Sequence, residues 1–259
     1  MRFIIIIFCC CLVISCKQAQ SSQSPTDKIE QQVASKSKEN LSIVMGKFDP
    51  KRHPSFTLVD KQYADREGLY LHRETYEAFK KMHVAAKSEN IELVIRSATR
   101  NFDYQKGIWE RKWTGTTKIE NDKNAALAYP AYNKRAQKIL EYSSMPGTSR
   151  HHWGTDIDLN NFENDYFESG QGLKEYDWLT ANASSFGFCQ VYTKKGALRP
   201  NGYNEEKWHW SYLPVAKKLI QIAKDSLSNQ MIGGFAGSEV ATELSVVEKY
   251  VFGINPECL

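Results

Sequence analysis

The sequence predicts an α+β domain, a small antiparallel sheet with helices around it. Three observations carry that prediction. Several segments place their apolar residues at helical spacing. Between them lie short stretches of strand-like alternation, such as "TDIDLN" at 155–160. Beyond the first 45 residues about 215 remain, enough for one well-filled core, and no internal repeat divides them.

The elements follow in order. Asp60, Tyr63 and Tyr70 belong to loops and short turns. From Arg73 to Ser88 the apolar positions Tyr76, Phe79, Met82, Val84, Ala85 and Ala86 describe an amphipathic helix. "ENIELVIRSATR" carries a strand over at least Ile91 to Ile95, ending at Ser97. Residues 101–116 start as a helix and then loosen. Residues 121–144 are helical with a restart near Pro130, and Tyr132, Ala136, Ile139 and Leu140 face inward. "MPGTSRHHW" is a loop, and 155–160 is a short strand. Residues 172–188 hold a helix with Tyr176, Trp178 and Leu179, then a loop. "CQVYTK" is a strand candidate. Asn201-Gly202 is a turn before an aromatic strand. A helix runs from Pro214 to Ser226, and the tail to Leu259 is one more helix with a short extension.

The N-terminus reads separately. "MRFIIIIFCCCLVISC" has one positive charge and then an apolar run from Phe3 to Ile14, too short to span a bilayer. It fits the charged region and apolar core of a secretory signal. Val13, Ile14, Ser15 and Cys16 resemble a bacterial lipobox, which implies cleavage before Cys16 and acylation of that cysteine. Residues 1–15 are then the signal, residues 16–45 a polar tether rich in Ser, Gln and Lys, and residues 46–259 the domain with a C-terminal helical extension. This expectation puts a monomer in the cell envelope, held to the membrane by its lipid on the periplasmic side. Lys17 rather than an aspartate follows the cysteine, which favours the outer membrane. The formal charge of +4 is mild, and with no long basic block nucleic acid is excluded as a partner. Once the leader is gone and Cys16 modified, Cys189 and Cys258 remain, either as a disulfide or as two apolar thiols.

The chemistry concentrates in "SRHHWGTDIDLN", residues 149–160, and "EEKWHWSY", residues 205–212. His151 on a loop and Asp158 on the strand after it can converge on one ion, and Gly154 between them permits a tight reversal. His209 would come from the aromatic segment. A catalytic zinc needs three protein ligands and an open position, so His151, Asp158 and His209 are candidates for Zn²⁺. Glu206, three residues before His209, could accept a proton from a bound water and pass it to a leaving amine, with Glu205 as its competitor. Strand periodicity points residues three apart to opposite faces, so this segment must bend or begin as a loop. Taken singly, each feature has a plainer reading, as a surface histidine or an aromatic core stripe.

Together the motifs resemble the VanY-type D-alanyl-D-alanine carboxypeptidases, of the zinc peptidase fold group shared by lysostaphin-like and hedgehog-like domains. The pattern Ser, His, Gly, Asp falls on Ser149, His151, Gly154 and Asp158. The pattern Glu, His, Trp falls on Glu206, His209 and Trp210. A strand-end motif falls on "SATRNFDYQ", with Ser97, Arg100 and Gln105 in place. The resemblance spans roughly residues 55 to 215. It implies zinc on His151, Asp158 and His209, and Glu206 as general base and then acid. It further implies Arg100 stabilising substrate or the developing oxyanion, and a peptidoglycan stem peptide as substrate. Ser149, Gln105, Trp208 and Asp156 are candidates for substrate contact. Arg150, His152 and Asp156 depart from the family's usual acidic, glutamine and small apolar residues, and Ala98-Thr99 replace Gly-Tyr. These departures bear on specificity, so an L,D-carboxypeptidase, an endopeptidase or a non-catalytic wall-binding lipoprotein stand as alternatives.

Overall fold

The computed structural model describes residues 36–259. The expected signal, Cys16 and the expected tether as far as residue 35 lie outside the described residues. The end of the expected tether belongs to the domain instead. Residues 36–44 form helix α1, and Val44 and Met45 are buried in the larger core cluster. Their apolar side chains gain more from burial than a polar spacer could offer.

Two antiparallel sheets are present among the described residues. β1 (Phe56–Leu58) pairs with β2 (Tyr70–His72). The main sheet has the order β3-β4-β6-β5, from β3 (Ile95–Ser97), β4 (Asp156–Leu159), β5 (Phe188–Gln190) and β6 (His209–Tyr212). β3 is shorter than the sequence suggests, since residues 91–94 lead into it without pairing as strand. All three pairings are antiparallel, with Asp156 opposite Ser211 and Asp158 opposite His209 on the central pair.

Alternation along these strands sorts chemistry from packing. Ile157 and Leu159 of β4, Trp210 of β6 and Phe188 of β5 join one apolar cluster with α2 (Arg73–Ser88) and α6 (Gly170–Asn182). Phe79 and Met82 of α2 and Leu179 of α6 are wholly buried there. Each such side chain contributes about 1.5–3 kcal/mol by leaving water. The intervening residues Asp156, Asp158, His209 and Ser211 share the other face, and all are buried.

A second cluster gathers α3 (Phe102–Trp113), α5 (Tyr132–Ile139), α7 (Leu213–Ser226) and the C-terminal tail. α3 runs to Trp113, with Trp109 and Trp113 buried on its inner face, and gives way to a turn at residues 114–116, the loosening that the sequence suggests. The short α4 (Ala125–Ala128) precedes Pro130, and α5 restarts after it, as a proline ring requires. The expected helix in the tail is absent. Residues 227–259 form 3-10 turns and one π-helical turn, Val247–Val251. Buried Val246, Val251 and Ile254 hold the tail down, and a disulfide from Cys189 to Cys258 ties it to β5. No helix of the described residues is long and apolar enough to cross a membrane.

Candidate active site and metal centre

The site is assembled on the polar face of β4 and β6 and on the turn that feeds β4. Ser149 precedes a 3-10 turn, Arg150–Trp153, which Gly154 ends at φ 69°. A Cβ on Gly154 would lie 2.4 Å from Phe56 and 2.8 Å from the His72 nitrogen, so no other residue closes this turn without a shift. The turn is also fixed across the sheet end, where the Arg100 amide donates to the His151 carbonyl at 3.1 Å.

This framework aims His151 at Asp158. Its Nδ1–H donates to the Ala98 carbonyl at 2.9 Å, and burial lowers the imidazole's pKa, so Nε2 carries a bare lone pair. That lone pair faces Asp158 Oδ2 at 3.2 Å. His209 is arranged likewise. Its Nε2 lies 2.8 Å from Asp156 Oδ2, which leaves Nδ1 to face Asp158 Oδ1 at 3.0 Å. Neither His151 Nε2 nor Asp158 Oδ1 finds a hydrogen-bond partner although both are buried. Acceptors crowded together in this way call for a cation.

The donor set fits zinc. Nitrogen and oxygen ligands about 2.0–2.1 Å from a tetrahedral zinc stand roughly 3.3 Å apart, close to the observed pairs. One ligand atom from each of His151, Asp158 and His209 lies within 4.8 Å of the others. The electrostatics agree. Burial alone would raise the Asp158 carboxyl, but His151 and His209 outweigh it and hold the group well below the usual carboxylate range. Burial would lower His209, yet the surrounding carboxylates of Asp156, Asp158 and Glu206 lift it well above the ordinary histidine value.

Glu206 reaches this centre because the chain turns before the strand begins. The His209 amide donates to the Glu206 carbonyl at 3.3 Å, closing a turn over residues 206–209. Glu206 Oε2 thereby sits 3.4 Å from His209 Nδ1. Asn164 braces the turn from elsewhere, donating to the Glu205 carbonyl and accepting from the Lys207 amide. Burial raises the Glu206 carboxyl above its ordinary value. Glu205 is half-exposed, and it is Glu206 that lines the cleft.

The cleft beside these residues has a volume of about 720 Å³, and Arg100, Asp158, Glu206 and Trp208 line it. Arg100 Nε is buried without a partner, and no ion pair among the described residues includes it. Ser149 lines the inner recess with His151, its Oγ also unpartnered. Two expected substrate contacts belong elsewhere. Asp156 is completely buried behind His209, where its carboxylate accepts from Arg150, Ser211 and Thr155. The Arg150 guanidinium outweighs burial and keeps Asp156 ionised well below the usual range. The two departures Arg150 and Asp156 are thus one buried ion pair at 3.0 Å. Gln105 is also buried, and its Nε2 donates to the Ser144 carbonyl at 2.8 Å, so it fixes the loop at the cleft's edge. Trp210 is a core residue, its ring packed in the cluster of α2 and α6.

Among the cleft residues that the motifs do not include, one is a cation close to Arg100 and Glu206. Lys112, on α3, lines the cleft and donates to Ser143 Oγ. No spacing rule joins it to the other motifs.

The sheet and the donor set define an α+β domain built around a buried group of three residues that could hold a metal ion. The chain belongs to the VanY family, D-alanyl-D-alanine carboxypeptidase, whose model matches residues 68–215. "Putative carboxypeptidase YodJ" of Bacillus subtilis (strain 168) is 27% identical over 186 residues, 70% of this chain and 59% of that protein. An uncharacterised Haemophilus influenzae protein is 32% identical over 91 residues, 30% of this chain and 66% of that protein. The chain therefore spans less than two thirds of either relative. Among solved structures, the LD-carboxypeptidase LdcB superposes with a TM-score of 0.49 at 23% identity, over 79% of this chain and 81% of that one. VanYB in complex with D-alanine-D-alanine gives a TM-score of 0.45 at 23% identity, over 65% of this chain and 88% of that one.

Proposed function

We propose that this protein is a zinc-dependent carboxypeptidase that removes the terminal D-alanine from peptidoglycan stem peptides ending in D-alanyl-D-alanine. One observation carries the reading. Buried ligand atoms of His151, Asp158 and His209 converge within 4.8 Å of one another, and Glu206 stands beside them on a cleft open to substrate. Membership of the VanY family supplies the substrate class.

His151 Nε2, Asp158 and His209 Nδ1 would hold the zinc. When bound, zinc supplies Lewis acidity to the scissile carbonyl and acidifies a water. Glu206 accepts the proton of the attacking water and later returns it to the departing D-alanine nitrogen. Its raised pKa suits both roles, because a carboxylate closer to neutrality takes and gives a proton with less penalty. Arg100 donates to the oxygen on which negative charge develops, its Nε free for that bond. Trp208 walls the cleft. Asp156 holds His209 from behind and orients it toward the ion.

We further propose that the domain works as a monomer on the periplasmic side of the membrane, tethered through acylated Cys16. Mass spectrometry of the N-terminal peptide should show the lipid, and an unmodified Cys16 in the membrane fraction rejects the anchor. The enzymatic reading is tested by digesting defined muropeptides with and without zinc and weighing the released residue. Release of D-alanine from D-alanyl-D-alanine ends supports it. Release from tetrapeptide ends instead assigns L,D-specificity, and internal cleavage assigns an endopeptidase.

A further inference from the structure

Lys112 has no part in the metal centre, yet its ammonium lies in the cleft. The side chain belongs to α3, which begins directly after Arg100. Helical side chains lean toward the N-terminus of their helix, so Lys112 leans back along α3 toward the Arg100 end. It is half-buried, and no ion pair among the described residues includes it. Burial and repulsion from Arg100 both pull its pKa down, and Glu206 opposes them. A cation kept in such a place without a carboxylate of its own is open to an anion from outside.

Its hydrogen bond shows how the anion would be held. Lys112 Nζ donates to Ser143 Oγ. The serine oxygen spends a lone pair on the ammonium, so its own O–H remains free to donate. The ammonium keeps two further N–H groups. Ser143 is fixed in place because the next residue's carbonyl accepts from buried Gln105. One charged donor and one neutral donor therefore converge at the cleft wall, which suits the two oxygens of a carboxylate.

We infer that Lys112 and Ser143 form the receptor for the free carboxylate of the substrate's last residue, while Arg100 attends the scissile carbonyl. The inference rests on the carboxypeptidase reading above and names the residues that make the enzyme act at chain ends. A peptide without a terminal carboxylate leaves the ammonium buried and unpaired, so this receptor selects against internal bonds.

The test uses two peptides, one ending in D-alanyl-D-alanine and one ending in D-alanyl-D-alaninamide, which differ in the terminal charge. Lys112→Met should raise KM for the acid about 10- to 100-fold, the range expected for a lost hydrogen bond to a charged group. Turnover of the amide should not fall and should rise where the unpaired ammonium had opposed it, so the preference for the acid narrows. Lys112→Arg should restore most of the preference for the acid. Ser143→Ala carries the same prediction on a smaller scale and serves if Lys112→Met does not fold. Equal losses on both peptides would show that Lys112 merely props the cleft and overturn the receptor. An unchanged preference in every variant overturns it as well. If the unaltered enzyme cleaves neither peptide, the D-alanyl-D-alanine reading fails and the receptor, as stated for that substrate, falls with it.

Discussion

Two adjacent histidines and two aspartates on one strand face show opposite degrees of satisfaction. His152 is saturated: Nδ1 donates to the Arg100 carbonyl at 2.5 Å, and Nε2 accepts from the Gly147 amide at 3.0 Å. His151, one residue earlier, ends in an unpaired Nε2. Asp156 faces donors from Arg150, Thr155, Ser211 and His209, whereas Asp158, two residues on, leaves Oδ1 without a partner. All four residues are buried, so burial does not separate them. The unspent lone pair does. A structural polar network uses up its hydrogen-bonding capacity, and a metal site holds some back.

Breaking the unsatisfied set should have the largest effect. His209→Ala removes one of three ligands, and bound zinc measured by elemental analysis should fall from about one per chain to background. Activity should vanish with it. Zinc content unchanged in that variant would remove His209 from the ligand set.

Glu206 sharpens the comparison, because it is buried beside the centre without belonging to the ligand set. Glu206→Gln keeps the shape but cannot accept a proton. The value of kcat should drop at least about 10²-fold while zinc stays bound, since general acid–base catalysis contributes roughly 10²–10⁴-fold. Glu205→Gln should cost less than about twofold. The reverse pattern would mean that the wrong glutamate has been assigned, and loss of zinc would make Glu206 a ligand.

The satisfied aspartate should matter through its neighbours. Asp156→Asn is nearly isosteric but leaves the Arg150 guanidinium buried opposite a neutral amide. Breaking a buried ion pair costs about 3–5 kcal/mol, to be read from denaturant unfolding. Loss of the carboxylate behind His209 should also weaken zinc about 10- to 100-fold in chelator competition, the usual range for a residue supporting a ligand. Full zinc affinity in this variant would make Asp156 a purely structural residue.

The three candidate ligands are legible in the sequence, but what surrounds them is not. His151, Asp158 and His209 are only candidates from spacing and are singled out by the family resemblance, and the alternation of β4 puts Asp156 and Asp158 on one face. Which aspartate meets the cleft depends on the pairing of Asp156 with Ser211, a register that local patterning does not specify. The turn that brings Glu206 beside His209 is braced by Asn164, about forty residues away. Lys112 is one of 34 basic residues, and its partner Ser143 lies 31 positions on, beyond any local periodicity. The helical tail was misjudged because its apolar residues pack through irregular turns under a disulfide rather than along one helical face.

The smallest effect is expected at His152, and it separates the two histidines most directly. Its ring contacts no ligand atom of the metal centre, so His152→Ala should keep zinc at about one per chain. The ring does hold the Arg100 carbonyl and the Gly147 amide at once, joining the end of β3 to the loop before the metal turn. It also fills the space above Gly46, where a Cβ would lie 2.4 Å from the imidazole. Removing it leaves a cavity and two buried backbone groups without partners, each worth about 1–3 kcal/mol if water does not replace the ring. Arg100 should then lose its fixed approach to the cleft, and kcat should fall by less than about tenfold with zinc unchanged. His152→Gln, which can offer both a donor and an acceptor, should recover part of that loss. Zinc loss in His152→Ala comparable to that in His209→Ala would show that saturation of a ring's nitrogens does not distinguish a strut from a ligand.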